Sequence, residues 1–178
     1  MNACVIGPTP KQFPFDYETD YISKAVYQDE LLKKAKELIE NGYTHFITPM
    51  NIGAELDFAD IIIFLRDEVY PESGITLETV IAHPGLHKEY TGENWMTFIG
   101  VFKSSDKKTL ISKTPEPDCY EKSQKYAIDN SDAVIAVWDG SRESDVWKAI
   151  EYASGKGKNI QYIMVDKLLE SAYQIIAK

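Results

Sequence analysis

The chain predicts an α/β domain with a mainly parallel sheet and helices on both faces. Two observations carry this. Short apolar runs alternate along the whole length with segments of helical period about 10–20 residues long. The most apolar run, DAVIAVW at 132–138, is continuous rather than alternating, the pattern of a strand buried on both faces. Right-handed crossovers between parallel strands then distribute the helices over both sides of the sheet.

The elements follow in order. ACVIG at 3–7 is a first strand ended by Gly-Pro, and PTPKQFPFDYETD is a long loop with three prolines. From Tyr21, apolar residues Ile22, Ala25, Leu32, Ala35 and Ile39 follow a helical period, with Gly42 as the residue that ends it. YTHFIT is a second strand. Ala54, Phe58, Ile61, Ile62, Leu65 and Val69 mark the next helix, which YPESG ends. ITLETVIAHPG is a third strand, ENWMTFIGVFKSSD a weaker helix, KKTLIS a fourth strand and CYEKSQKYAIDNS a helix. After DAVIAVW, the turn DGSRES leads into the helix DVWKAIEYASGKG. NIQYIMV is the last strand and DKLLESAYQIIAK the last helix. No repeat or linker interrupts the series, so one domain over 1–178 is expected.

A net charge of −9, from 19 basic and 28 acidic residues, disfavours general nucleic-acid binding. It leaves room for one small anion in a local nest of amides. Two cysteines, Cys4 and Cys119, are too few for a disulfide framework and fit a reducing cytoplasm. No signal peptide or stretch of about 20 apolar residues is present, so neither secretion nor a membrane role is expected.

Open parallel sheets bind ligands beyond the carboxyl ends of their strands. The residues that follow the strands are therefore the candidates. Gly7, Pro8, Thr9 and Pro10 follow the first; Pro49, Met50, Asn51, Ile52 and Gly53 follow the second. His83, Pro84 and Gly85 follow the third, and Asp139, Gly140, Ser141 and Arg142 follow the fifth. Two of these turns open helices, where free amides and the helix dipole favour an anion. Gly53 suits a close approach of backbone to phosphate or ribose, and Glu55 suits acceptance of sugar hydroxyls. Each turn alone also reads as an ordinary helix start: Glu55 as a first-turn acid, Ser141 or Ser144 as an N-cap. Their convergence on one edge favours a site. There is no GxGxxG and no Walker loop.

His83, His87 and Glu89 straddle Pro84-Gly85, a spacing unlike that of a zinc site, and no metal is expected. Cys119 opens a helix with no histidine near it in sequence and reads as structural. Trp95, Phe98 and Phe102 read as core at helical spacing, with stacking on a base as the alternative; Tyr17 and Tyr21 either stack or pin the proline loop.

Taken together, the GPTP loop, ITPMNIGAEL and IDNSDAVIAVWDG resemble the YpsA-like branch of the SLOG superfamily over nearly the whole chain. The resemblance implies a Rossmann-like three-layer sandwich related to LOG phosphoribohydrolases and DprA. It places Gly7 and Pro10 on the site's floor, and Met50, Asn51, Gly53 and Glu55 in the central loop. Asp139, Gly140 and Ser141 close the other side. Thr9 stands where the family often has Arg, Pro49 where glycine is usual, and RESDVW where a Gly-Thr pair is common. Arg142 is a candidate replacement cation. With phosphate-holding residues missing and no nucleophile or acid–base pair evident, the expectation is binding without catalysis. The ligand would be a nucleotide-derived small molecule of ADP-ribose or cyclic-nucleotide type, sensed or sequestered, with phage counter-defence as one setting. The alternative is a LOG-like hydrolase of nucleoside monophosphates using Glu55. A third reading is an interaction protein with a degenerate pocket. No cofactor is expected, and the resemblance implies a homo-oligomer.

Overall fold

The computed structural model describes residues 1–176. The final two residues of the expected last helix lie outside that range. Six strands form one sheet: β1 (Asn2–Ile6), β2 (His45–Pro49), β3 (Thr76–Ile81), β4 (Lys107–Leu110), β5 (Ala133–Trp138) and β6 (Asn159–Met164). Their order is β4-β3-β2-β1-β5-β6. Every pairing is parallel, so the sheet is wholly rather than mainly so. The helices are α1 (Tyr21–Glu40), α2 (Ala54–Phe64), α3 (Gly92–Ser104), α4 (Cys119–Asp129), α5 (Asp145–Gly155) and α6 (Val165–Ile176). A wide turn over Leu65–Val69 prolongs α2 to the end of its apolar period. This is the α/β, Rossmann-like arrangement expected.

The strands sort their side chains by alternation. On β1, Ala3 and Val5 join the core under α1, α2, α3 and α6, while Cys4 and Ile6 join the smaller core under α4 and α5. β5 does the same with Ala133, Ile135 and Val137 on one side and Val134 and Ala136 on the other. Glu78 interrupts the apolar run of β3 and is buried. Burial alone would raise its pKa. Hydrogen bonds from Thr109, Lys107 and Tyr126, and one with His45, outweigh that and hold it below the usual carboxylate value.

Helix starts follow local chemistry. Asp20 caps α1 through Ser23 N–H at 3.0 Å, and Ser144, not Ser141, caps α5 through Trp147 N–H at 3.2 Å. Gly42 takes φ +88° beyond α1. The proline loop contains a short 3-10 turn, Pro10–Gln12, and packs by aromatic contact. The Phe13 ring centroid lies 5.1 Å from Tyr17 and 5.0 Å from Tyr27. Tyr17 donates to Asp57 of α2 at 2.8 Å, so it pins the loop down. Phe98 is core, whereas Trp95 and Phe102 are largely exposed.

Two glycines answer to close packing at the carboxyl edge. A Cβ on Gly7 would lie 2.4 Å from the Ala54 Cβ. At Gly53, φ is +102° and a Cβ would lie 2.3 Å from the Pro8 carbonyl oxygen. Gly53→Ala should therefore lower stability by about 2–4 kcal/mol in urea unfolding. Gly74→Ala is the control: φ is +70° with nothing within 4 Å, and the loss should be about 1 kcal/mol. Equal losses would remove the Pro8 contact as the cause.

Candidate functional site

A cleft of about 720 Å³ opens over the carboxyl ends of the central strands, between α4 and α5. Its floor comes from Gly7, Asn51, Ile52 and Glu55. One rim is the short turn Thr9–Gln12 after β1, and the opposite rim is Glu89 and Tyr90, after β3. The walls are Pro117, Tyr120, Gln124 and Ile128 from the α4 side, and Val146, Ala149 and Tyr152 from α5. The volume is that of a small-molecule pocket, and its lining mixes apolar and aromatic side chains with polar and charged ones.

Glu55 is the central polar group. It stands in the first turn of α2 and is only 2% exposed. Its carboxyl is gripped from two directions: Asn51 Nδ2–H donates to Oε2, and Gln124 Nε2–H donates to Oε1 at 2.8 Å. Thr48 Oγ1–H secures the Glu55 carbonyl at 2.8 Å. Burial pushes the Glu55 pKa up to about 8, although the Gln124 and Asn51 amides lower it in part. Glu55 is therefore a positioned, neutral acid at pH 7. Asn51 Oδ1 is buried without a hydrogen-bond partner beside it.

The expected residues divide. Gly7, Thr9, Pro10, Asn51 and Glu55 come together around the cleft. Met50 does not reach it: the side chain is fully buried in the larger core, and its carbonyl accepts from Tyr90 Oη–H. Pro8 and Gly53 lie behind the wall. The space above Gly53 that a phosphate or ribose was expected to use is taken by the Pro8 carbonyl, which accepts Ala54 N–H at 3.1 Å. The first free amide of α2 is thus already satisfied.

His83 is buried behind Glu89 and Tyr120 rather than in the lining. Asp139, Gly140, Ser141 and Arg142 also stand outside it. Asp139 Oδ1 accepts Ser141 N–H at 2.9 Å, Trp138 Nε1–H donates to the Ser141 carbonyl at 2.9 Å, and the Arg142 guanidinium lies 5.1 Å from the Trp147 ring centroid. This turn is tied to itself and to the aromatic edge. The first turns of α5, with Asp145, Val146 and Lys148, face the cleft instead.

Sequence reasoning passed over Lys11, Gln124, Tyr120 and Tyr152. Lys11 could have been found, since it is the first basic residue of the chain and follows closely on the end of the first strand. Gln124 has no local signal, because it meets Glu55 across 69 positions. Among the described residues, no group of three or more His, Cys, Asp or Glu is placed to hold a metal, and no helix is long and apolar enough to cross a membrane.

A wholly parallel sheet with helices on both faces and a polar-floored cleft at its carboxyl edge defines a Rossmann-like α/β architecture. The chain belongs to the YpsA family of SLOG proteins: a family model described as "YspA SLOG family" matches residues 4–168. It is 24% identical over 159 residues to a UPF0398 protein of Bacillus cereus (strain G9842), covering 84% of this chain and 82% of that one. A UPF0398 protein of Bacillus thuringiensis (strain Al Hakam) is 23% identical over 156 residues, with the same coverage.

The raised pKa of Glu55 makes stability depend on pH. The folded state holds the proton more tightly than the unfolded chain, whose value is near 4.5. That contribution is complete below pH 4.5 and is lost as pH rises to about 8. Glu55→Gln keeps the shape and removes the titration. Its stability relative to wild type should improve across this window by at most roughly 5 kcal/mol. Chemical denaturation at pH 5 and pH 9 measures the difference. A gap that does not change with pH would show that Glu55 is ionised in the folded protein.

Proposed function

We propose that the protein binds a nucleotide-derived small molecule in the cleft between α4 and α5. One observation carries this reading: a ligand-sized cleft at the carboxyl edge of a parallel sheet, with a fixed carboxyl on its floor and tyrosines on its walls. Tyr120 and Tyr152 offer rings for a base. Lys11, on the rim, has no carboxylate within ion-pairing distance among the described residues and is free to meet a phosphate. A base ring and an anionic group, both present in ADP-ribose and in cyclic nucleotides, fit these features. Sensing and sequestration are two forms of the same reading, and counter-defence against nucleotide-based immunity is a setting for the second.

A second reading is LOG-like cleavage of a nucleoside monophosphate. The observation that favours it is Glu55, a buried acid kept neutral near pH 7 and facing the cleft. Such an acid has the protonation state needed to assist departure of a base.

Native mass spectrometry after incubation with nucleotides, ADP-ribose and its cyclic isomers tests both readings. The expected result is a ligand-bound species that releases the ligand unchanged on denaturation. Its mass also reads the assembly, for which a homo-oligomer is expected. Free base and ribose phosphate would instead establish the hydrolase. An empty protein across the whole panel would remove both.

A further inference from the structure

The carboxylates around the cleft are not equivalent. Glu121 is paired with Lys125, and Asp145 with Lys148 at 2.7 Å. Glu55 is neutral at pH 7, and both its oxygens already accept from amides. Glu89 differs from all three. Its side chain is 47% exposed, it lines the cleft, and no lysine or arginine pairs with it among the described residues.

Glu89 is nevertheless held in place. Tyr120 Oη lies 2.6 Å from both of its oxygens, and His83 Nε2 lies 3.0 Å from Oε1. The His83 ring is buried, and its Nδ1 has no partner, so Nε2 is the nitrogen that engages the carboxylate. Burial and the adjacent Glu89 push the Tyr120 phenol well up, which keeps it a donor. The backbone beside Glu89 is anchored too. Tyr90 is buried, packs 4.8 Å from the Phe98 ring centroid and donates to the Met50 carbonyl.

An ionised carboxylate has about four lone-pair directions. The Tyr120 hydroxyl fills the fork between the two oxygens and His83 takes a further direction on Oε1, which leaves the outer side of Oε2 open. That open direction on a rigid carboxylate matches a sugar hydroxyl donor, and an unmodified ribose cis-diol presents two neighbouring ones to it. Lys11 lies over β1 and Glu89 beyond β3, with β2 between them. A molecule with an anionic group at one end and free sugar hydroxyls at the other satisfies both.

We propose that Glu89, positioned by His83 and Tyr120, is the specificity residue of the cleft and selects ligands with an unmodified ribose cis-diol. This rests on the binding reading above and narrows it to ligands whose ribose hydroxyls are both free, ADP-ribose among them and 3′,5′-cyclic nucleotides not. A deoxyribose would leave an acceptor direction unfilled, and a phosphate on the 2′ or 3′ oxygen would set like charges together.

The test is isothermal titration of the wild type, Glu89→Gln and Tyr120→Phe with AMP, 2′-deoxy-AMP and adenosine 3′,5′-bisphosphate, with ADP-ribose as a further ribose ligand. Wild type should prefer AMP to each modified nucleotide by at least about 10-fold. Glu89→Gln should reduce that preference to within about 3-fold, chiefly by weakening AMP and admitting the bisphosphate. Tyr120→Phe should fall between, which mere support of the fold would not produce. Thermal melts of the variants should match wild type within a few degrees, as expected for a half-exposed carboxylate. If wild type binds AMP and 2′-deoxy-AMP equally, or Glu89→Gln keeps the full preference, this inference falls and the binding reading stands. If wild type binds none of these ligands, including ADP-ribose, this inference falls, and the binding reading falls with it only if the wider mass-spectrometric panel is also empty.

Discussion

The close approach of the loop after β1 to the start of α2 is the constraint on which the cleft depends. The Pro8 carbonyl sits where a side chain at residue 53 would be, and accepts the Ala54 amide at 3.1 Å. Gly7 permits the same approach from the other side, against Ala54 and Val137. Loop and helix therefore meet without side chains between them. Asn51 and Glu55 are brought to the floor in one fixed relation, and the Thr9–Gln12 turn is brought to the rim. The aromatic contacts of Phe13 and Tyr17, together with the Tyr17–Asp57 hydrogen bond, tie the rest of the proline loop to α1 and α2. A glycine that looks from sequence like a concession to a ligand is here a concession to the chain's own backbone.

The floor follows from that packing. A carboxyl this deeply buried is strongly disfavoured in its charged form. The two amide donors lessen the penalty without abolishing it, which is why Glu55 titrates far above its ordinary value rather than below it. Glu78 shows the opposite balance. It is equally hidden from solvent but surrounded by a lysine, a threonine, a tyrosine and a histidine, and it titrates below the ordinary value. The number and charge of the donors, together with how deeply each carboxyl is enclosed by the protein, separate the two sites. Both carboxylates are fixed in direction, but Glu55 alone is presented to the cleft.

The fold was legible because strand and helix periods are local properties of the chain. Each strand run and each helical face could be read without knowing its neighbours, and alternation specified which side of the sheet each residue faces. The site was legible only where the backbone itself forms it. Gly7, Thr9, Pro10, Asn51 and Glu55 follow directly from strand ends. Gln124, Tyr120 and Tyr152 come from helices that cross one face of the sheet, and their approach depends on helix placement that no short window encodes. The turn at 139–142 shows the converse. It has the composition of a ligand loop, yet its polar groups satisfy one another and a tryptophan, leaving the first turns of α5 to face the cleft. Choosing between an N-cap at Ser141 and one at Ser144 would have moved that boundary by three residues, which is within the reach of capping rules but not fixed by them.

The overall charge of −9 bears on what such a cleft can admit. At physiological salt the field of exposed carboxylates fades over about 8 Å. A nucleic acid lies across the surface and meets that field along much of its length. A single nucleotide meets it only during entry, after which Lys11 and the cleft's own dipoles are the nearest charges. On the binding reading, the acidity outside and Lys11, unpaired among the described residues, favour a short anion over a long one. The exposed ion pairs along the cleft add a second filter. Because Glu121 and Asp145 already hold lysines, the charges left to meet a ligand are one of each sign, at separate places along the cleft. Discrimination between small ligands then depends on which end of the molecule bears its charge, and not on charge alone.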